Sequence, residues 1–448
     1  MLRLRDGQGT LWDEFLAPEV KVLSDELAAI DTLLDDDCFL EPFKKRLSCE
    51  DGRPTIPMET YMRLMYLKHR YSLGYETLVK EVADSLSWRR FCRIRLEDSV
   101  PHSTTLIKLT KRCGPETIED LNTTLLRTAV ERKLLRSRRL RVDTTATEAD
   151  VRYPTDSGLC AHAVSRLGRA VAKVKSAGLA GRTRFRNRRR TAGKIIRKVS
   201  HALSGRPKDR RPAIDKLTAD VHAVVKATVR EAAAVLRNAR RALGADVKKG
   251  ANQTRHLEQE IALAQRIIDQ TAQRLTGERT IADRMISLSD PDARPIRRGK
   301  PQQPTEFGYK VSIADTPEGF VASHQVYTGN PADAQTLEAA IAGAQDIGMN
   351  VGSAFADRAY GDAVGDQALA ACGITDSVIP RKGRAHPKQH TRSWRRRYRW
   401  RAGAEGRISA LKRGYGLRRT RLKGHPGARI WVGFGVFASN IDRFVALA

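Results

Sequence analysis

Three carboxylates stand out by where they fall. Asp143 ends the apolar run "LRVD" and Asp357 ends "VGSAFAD". Glu405 lies between Gly403 and Gly406, the one acid in the cationic stretch from Arg392 to Lys412. Carboxylates brought together repel unless a cation neutralises them. Their hard oxygens suit Mg²⁺ or Mn²⁺. Two such ions can clamp the attacking and leaving oxygens of a phosphoryl transfer. Each acid also has a plainer reading. Asp143 could cap a turn through its Asp-Thr-Thr context. Asp357 could pair with Arg358, and Glu405 could pair weakly with a surface arginine.

Spacing adds to the residue types. Tyr398, Arg401, Glu405 and Lys412 are separated by three, four and seven residues. At about 100° per residue they share an arc of roughly 60° on one helix face. A single helix would then present an acid for metal, two cations for phosphate and a hydroxylated ring. Gly403 and Gly406 each cost about 1 kcal/mol inside a helix. Close approach of metal or DNA backbone beside Glu405 is the expected return.

Strands must bring the acids together at one sheet end. "RLRVDTT" reads as a strand ending at Asp143. "FGYKVSIAD" and "GFVASHQVYTG", joined by "TPEG", read as a hairpin. "NPADAQTLEAAIAGAQDIG" opens with an Asn cap and a proline and reads as a helix. "VGSAFAD" is a short buried strand, "DAVGDQALAACG" a helix and "ITDSVIP" a strand. That alternation predicts an α/β fold with a mixed sheet. No glycine-rich nucleotide-binding motif follows any of these strands.

The rest of the chain frames this core. At 448 residues and 41% hydrophobic content it is long enough for two or three domains, and global disorder is excluded. A net charge of +30 points to a polyanionic partner, nucleic acid first and an anionic membrane surface second. No apolar run is long enough to span a bilayer, and the N-terminus has no apolar signal region. Cys38, Cys49, Cys92, Cys113, Cys160 and Cys372 form no C-x-x-C pair and are expected as free thiols of a reducing cytosol. "IPMETYMRLMYLKHRYSLGYETLVKEVADS" reads as helix, glycine turn, helix, compatible with a helix-turn-helix. After Gly158 a basic run precedes strong helical periodicity. Leu217, Val221 and Val224 mark one long helix, and Leu257, Ile261, Ala264, Ile268 and Leu275 a pairing seam. A helical hairpin inserted after the first strand is expected.

These residues are where a family comes into view. The pattern Tyr398, Arg401, Glu405, Lys412 resembles the Tyr-Arg-Glu-Lys signature of bacterial insertion-sequence DDE transposases. "RVDTT" resembles their first-aspartate strand and "FADRAYGD", with Tyr360 and Asp362, their second. The helical N-terminal residues from Arg53 resemble the family's N-terminal domain, and the likeness runs to Asp442. The subgroup it suggests is the ISNCY type. The long basic insertion departs from compact members and leaves DNA contact or dimerisation open as its role.

The resemblance implies a ribonuclease-H-like mixed sheet with a long helical insertion, preceded by an all-helical domain. Its segments would be a lead-in at 1–50, a DNA-binding domain at 51–135 and a catalytic core at 136–160 and 295–415. A basic insertion at 161–294 and a C-terminal helical segment at 416–448 complete them. Asp143, Asp357 and Glu405 would hold two Mg²⁺ ions, with Mn²⁺ able to substitute. The activity implied is cutting of DNA at terminal inverted repeats, then attack of the freed 3′-hydroxyl on target DNA. Tyr398, Arg401 and Lys412 would hold the backbone near the cut. Arg89, Arg90 and Arg93 are candidate contacts to the repeats. The run Arg182 to Lys198, with Arg188, Arg189 and Arg190, would grip phosphates without reading sequence. Implied partners are DNA and a second copy of the chain, with no membrane and no small-molecule substrate, in a bacterial cytoplasm at the nucleoid. Two alternatives remain: a metal-dependent nuclease on the same fold, and an inactive DNA-binding relic of a mobile element.

Overall fold

A computed structural model of the chain describes residues 1–5, 17, 22–47, 54–204, 207–243, 250–278, 280–297, 305–383 and 386–448. Cys49 and Arg53 lie outside the described residues. The chain divides into two compact units, Met1–Asp150 with Ile296–Ala448, and Val151–Pro295. This is a coarser division than the five expected segments.

The first unit is built around a mixed sheet. Strand β1 (Arg139–Ala149) is rich in β-branched Val142, Thr144, Thr145 and Thr147, which suit a pleated surface packed on both faces. It pairs antiparallel with β3 (Thr305–Asp315) and parallel with β5 (Ser353–Phe355). β4 (Val321–Tyr327) folds back on β3, and β6 (Asp376–Val378) runs parallel to β5. The strand order is β2-β3-β1-β5-β6, with β2 spanning Arg294–Arg297. A two-residue β7 (Arg419–Thr420) pairs parallel with the end of β1, at Glu148 and Ala149. The sequence pattern anticipated neither β2 nor β7.

Helices cover this sheet and build the rest of the unit. The first six are α1 (Asp25–Leu34), α2 (Glu41–Arg46), α3 (Met58–Arg70), α4 (Tyr75–Asp84), α5 (Leu86–Phe91) and α6 (Ser103–Glu131). α6 breaks at Gly114, whose φ of 75° only glycine adopts freely, just before Pro115. Five helices of this unit follow the insertion: α11 (Leu337–Asp346), α12 (Ala363–Ala371), α13 (Arg392–Tyr398), α14 (Gly403–Gly414) and α15 (Gly424–Val445).

α15 explains why the N-terminal helices do not stand apart. It buries Ile430, Trp431, Phe434, Phe437 and Ile441 in the same core as Tyr61, Met62 and Met65 of α3. The Tyr61 and Phe434 rings meet edge to face at 6.2 Å. The C-terminal helix is thus a core element of this unit, not an appended segment.

The described residues of the second unit form four helices: α7 (Asp156–Ser176), α8 (Arg189–Leu203), α9 (Pro207–Ala242) and α10 (Ala251–Leu275). They surround their own core, which includes Leu167, Val171, Val221, Val225, Val235, Leu257, Ala264 and Ile267. The expected hairpin corresponds to α9 and α10. α7 and α8 were not expected, and Asp156 at the start of α7 falls in what was read as the catalytic core.

Candidate active site

β1 and β5 place the first two acids. Their parallel register pairs Arg141 with Phe355. Two residues further along each chain stand Asp143 and Asp357, so the register that joins the strands also juxtaposes the acids. Each carboxylate is oriented by a backbone N–H close in sequence. Asp143 Oδ1 accepts from the Thr144 amide at 2.8 Å. Asp357 Oδ1 accepts from the Ala359 amide at 2.8 Å and caps a 3₁₀ turn over Arg358–Tyr360. That leaves both Oδ2 atoms facing one cation. Arg401 Nη2 donates to Asp143 Oδ2 at 3.2 Å and to Asp357 Oδ2 at 3.4 Å. The buried Arg401 Nε has no hydrogen-bond partner among the described residues. Arg358 points elsewhere, donating to the carbonyls of Arg381 and Gly383. The plainer reading of Asp357 as its partner therefore falls.

The Tyr398–Lys412 stretch keeps right-handed helical geometry but is not one helix. Tyr398 ends α13, Arg401 sits in a 3₁₀ turn over Arg399–Ala402, and Glu405 and Lys412 lie on α14. A 3₁₀ turn advances about 120° per residue, so it rotates the faces on either side of it. Glu405 is exposed in the first turn of α14 and pairs with none of the described residues. No group of three metal-ligating side chains exists among the described residues. Lys412 is half-buried two turns further on, about 10 Å along the axis.

Gly403 has a reason other than the expected one. A Cβ there would come within 2.5 Å of Arg141 Nη1. Arg141 is held by Asp315 across the β1–β3 pair and donates to the Trp400 carbonyl at 2.7 Å. Its guanidinium also lies 4.8 Å from the Trp400 ring centre. Gly403 therefore admits a buried arginine that ties the start of α14 to β1. A Cβ at Gly406 would meet only open space.

Sequence reasoning missed the far side of β1. Thr144 Oγ1 donates to Asp333 Oδ1 at 2.7 Å, and the nearly buried Lys310 pairs with the same oxygen at 2.6 Å. Tyr360, close to Asp357 in sequence, is buried at 1% exposure. Burial, then Asp333, Asp143 and Asp357, push its phenol well above the usual range. Burial also raises Tyr398, opposed by Arg401 and reinforced by Asp357 and Asp143. Asp362 is a helix cap, accepting from the Gly365 amide and pairing with Lys382 at 2.5 Å.

The expected DNA contacts separate into tied and free groups. Arg89 is buried and donates to the carbonyls of Arg95, Leu96 and Asp98. Arg93 meets Asp31 and Asp35, each at 3.2 Å. Arg188 pairs with Glu231 at 2.5 Å and holds that carboxyl down at about 2. All three guanidiniums are engaged by groups of the chain itself. Arg90, Arg189 and Arg190 are exposed. On α8, Arg190, Lys194, Arg197 and Lys198 form an exposed stripe opposite the buried Ala192 and Val199.

Residues 16–112 match the family described as a transposase domain (DUF772), and residues 259–441 match the transposase DDE domain. The chain belongs to the insertion-sequence DDE transposases. Neither description names an ISNCY-type subgroup. An uncharacterized protein, ORF8 in the nfe locus of Rhizobium meliloti, is 28% identical over 156 residues, covering 34% of this chain and 74% of that protein. No solved structure matches. The DDE domain implies a ribonuclease-H-like core, and the strand order around β1 agrees with it. Asp357 and Glu405 fall inside the matched DDE residues, whereas Asp143 precedes them.

Membership makes this chain a transposition enzyme that acts on DNA. No helix among the described residues is long and apolar enough to cross a membrane. Cys38, Cys92, Cys113, Cys160 and Cys372 are free. Two carboxylate oxygens already sharing one cationic nitrogen are a fitting donor pair for a divalent ion.

Proposed function

We propose that this transposase cuts and joins DNA at a site built on Asp143 and Asp357, with Glu405 as the third acid. The observation that carries the reading is Arg401 bridging the Oδ2 atoms of the two aspartates. Asp143, Asp357 and Glu405 would hold Mg²⁺, or Mn²⁺ in its place, which supplies charge neutralisation and a more acidic bound water. Within the chain, the amides of Thr144 and Ala359 keep the aspartates aimed. Arg401 balances their charge and, with Lys412, binds the phosphates flanking the cut. Tyr398 positions the backbone through its hydroxyl. The exposed Arg90 supports contact of the N-terminal helices with the terminal inverted repeats. The α8 stripe, with Arg189, supports sequence-independent phosphate binding. Joining two ends calls for a homodimer on the DNA.

The test is cleavage of duplexes carrying the element's own ends, with Mg²⁺ present and absent. Asp143→Asn, Asp357→Asn and Glu405→Gln should each cut far more slowly while leaving end binding intact. Strand-transfer product separates transposition from simple hydrolysis. Full activity of Glu405→Gln would remove Glu405 from the site.

A further inference from the structure

We infer that Asp333, acting through Thr144, is a positioning residue for the Asp143 carboxylate. The inference rests on the reading of Asp143 as a metal ligand.

Successive side chains of a strand point to opposite faces of the sheet. Asp143 and Thr144 therefore project from opposite sides of β1. Thr144 is held at both ends. Its amide donates to Asp143 Oδ1 at 2.8 Å, and its hydroxyl donates to Asp333 Oδ1 at 2.7 Å on the other face. Asp333 is itself anchored. It opens the 3₁₀ turn before α11, and its Oδ1 also meets Lys310 Nζ at 2.6 Å. Lys310 is nearly buried on β3 and donates in addition to the Pro331 carbonyl at 2.6 Å. Buried charge held by several bonds is stiff. A stiff anchor behind Thr144 limits rotation of the peptide that orients Asp143. Changing a group that orients a ligating side chain typically costs about 10–100-fold in metal affinity or activity.

A purely structural role would change stability alone, so the test reads metal affinity as well. Mn²⁺ binding to the full chain is measured by calorimetric titration, beside the melting temperature. Thr144→Val, which keeps the shape and removes the hydroxyl, should weaken Mn²⁺ binding roughly 10-fold with little change in melting. Thr144→Ser should restore it. Asp333→Asn should weaken binding similarly, and the double variant Asp333→Asn/Thr144→Val should be no weaker than Thr144→Val alone. Wild-type affinity in Thr144→Val and Asp333→Asn, or losses that simply multiply in the double variant, would overturn the inference. A wild-type chain that binds no Mn²⁺ would overturn the metal reading, and this inference with it.

Discussion

The two units handle charge in opposite ways. Residues 151–295 carry 32 lysines and arginines against 13 aspartates and glutamates, a net +19. The remaining 303 residues carry 49 against 38, a net +11. In the sheet unit the cations near the acids are spent on them: Arg401 on Asp143 and Asp357, Arg141 on Asp315, Lys310 on Asp333. In the helical unit a few acids pin cations at interior seams, as Glu231 does Arg188 and Glu260 does Arg166. Among the described residues the α8 stripe has no such partner. One unit uses charge to fix geometry. The other leaves charge exposed, where its value is electrostatic and screened by salt.

That contrast can be broken or sharpened by substitution. The largest effect is expected at the acids. Asp143→Asn or Asp357→Asn should lower DNA cleavage by on the order of 10³-fold, since several kcal/mol of transition-state stabilisation depend on the ion they hold. Next comes the buried pair behind them. Arg141→Ala leaves the buried Asp315 with only the longer Arg407 contact at 3.6 Å and should cost up to about 3–5 kcal/mol, read by chemical denaturation. The helices of residues 151–295 should unfold as in the wild type, a result that would show the units respond separately.

Smaller effects belong to the helical unit. Changing Arg190, Lys194, Arg197 and Lys198 together to glutamine should flatten the dependence of log affinity on log salt by up to about 3.6, read on duplexes of random sequence. An unchanged slope would remove α8 from the DNA surface. The smallest change is expected from Glu231→Gln. Its folded carboxyl titrates near 2, below the ordinary 4.5, so its pair with Arg188 contributes fully above the unfolded value and fades as pH falls from about 4.5 toward 2. Melting curves of wild type and Glu231→Gln should therefore differ slightly at pH 7 and converge at pH 2.

Much of the sheet unit was legible in the chain. β5 is a short apolar run with Asp357 two residues past its end, but β1 does not stop at Asp143 as expected: it continues six residues further to Ala149, and the parallel register brings the two acids level. The third acid was harder. Nothing between Tyr398 and Lys412 marks a 3₁₀ turn, because its residues have ordinary helical backbone angles. Periodicity therefore merged three helical pieces into one. Gly403 gave a signal that was read outward, toward DNA, when the close approach comes from Arg141, hundreds of residues earlier in the chain. Asp333 was hidden in a stretch read as a helix start, where an acid is unremarkable. α8 went unseen because its buried positions, Ala192 and Val199, are small and scattered among cations. Residues 430–438 of α15 are apolar on every side, a pattern that marks a core helix.

The most direct test is where a bound ion sits. Fe²⁺ with ascorbate and peroxide, in place of Mg²⁺, cuts a polypeptide beside the residues that hold the ion. The account predicts fragments ending near Asp143 and Asp357, with a further cut near Glu405 when end DNA is bound, all suppressed by excess Mg²⁺. Cuts confined to other segments, with none near Asp143 or Asp357, would contradict it.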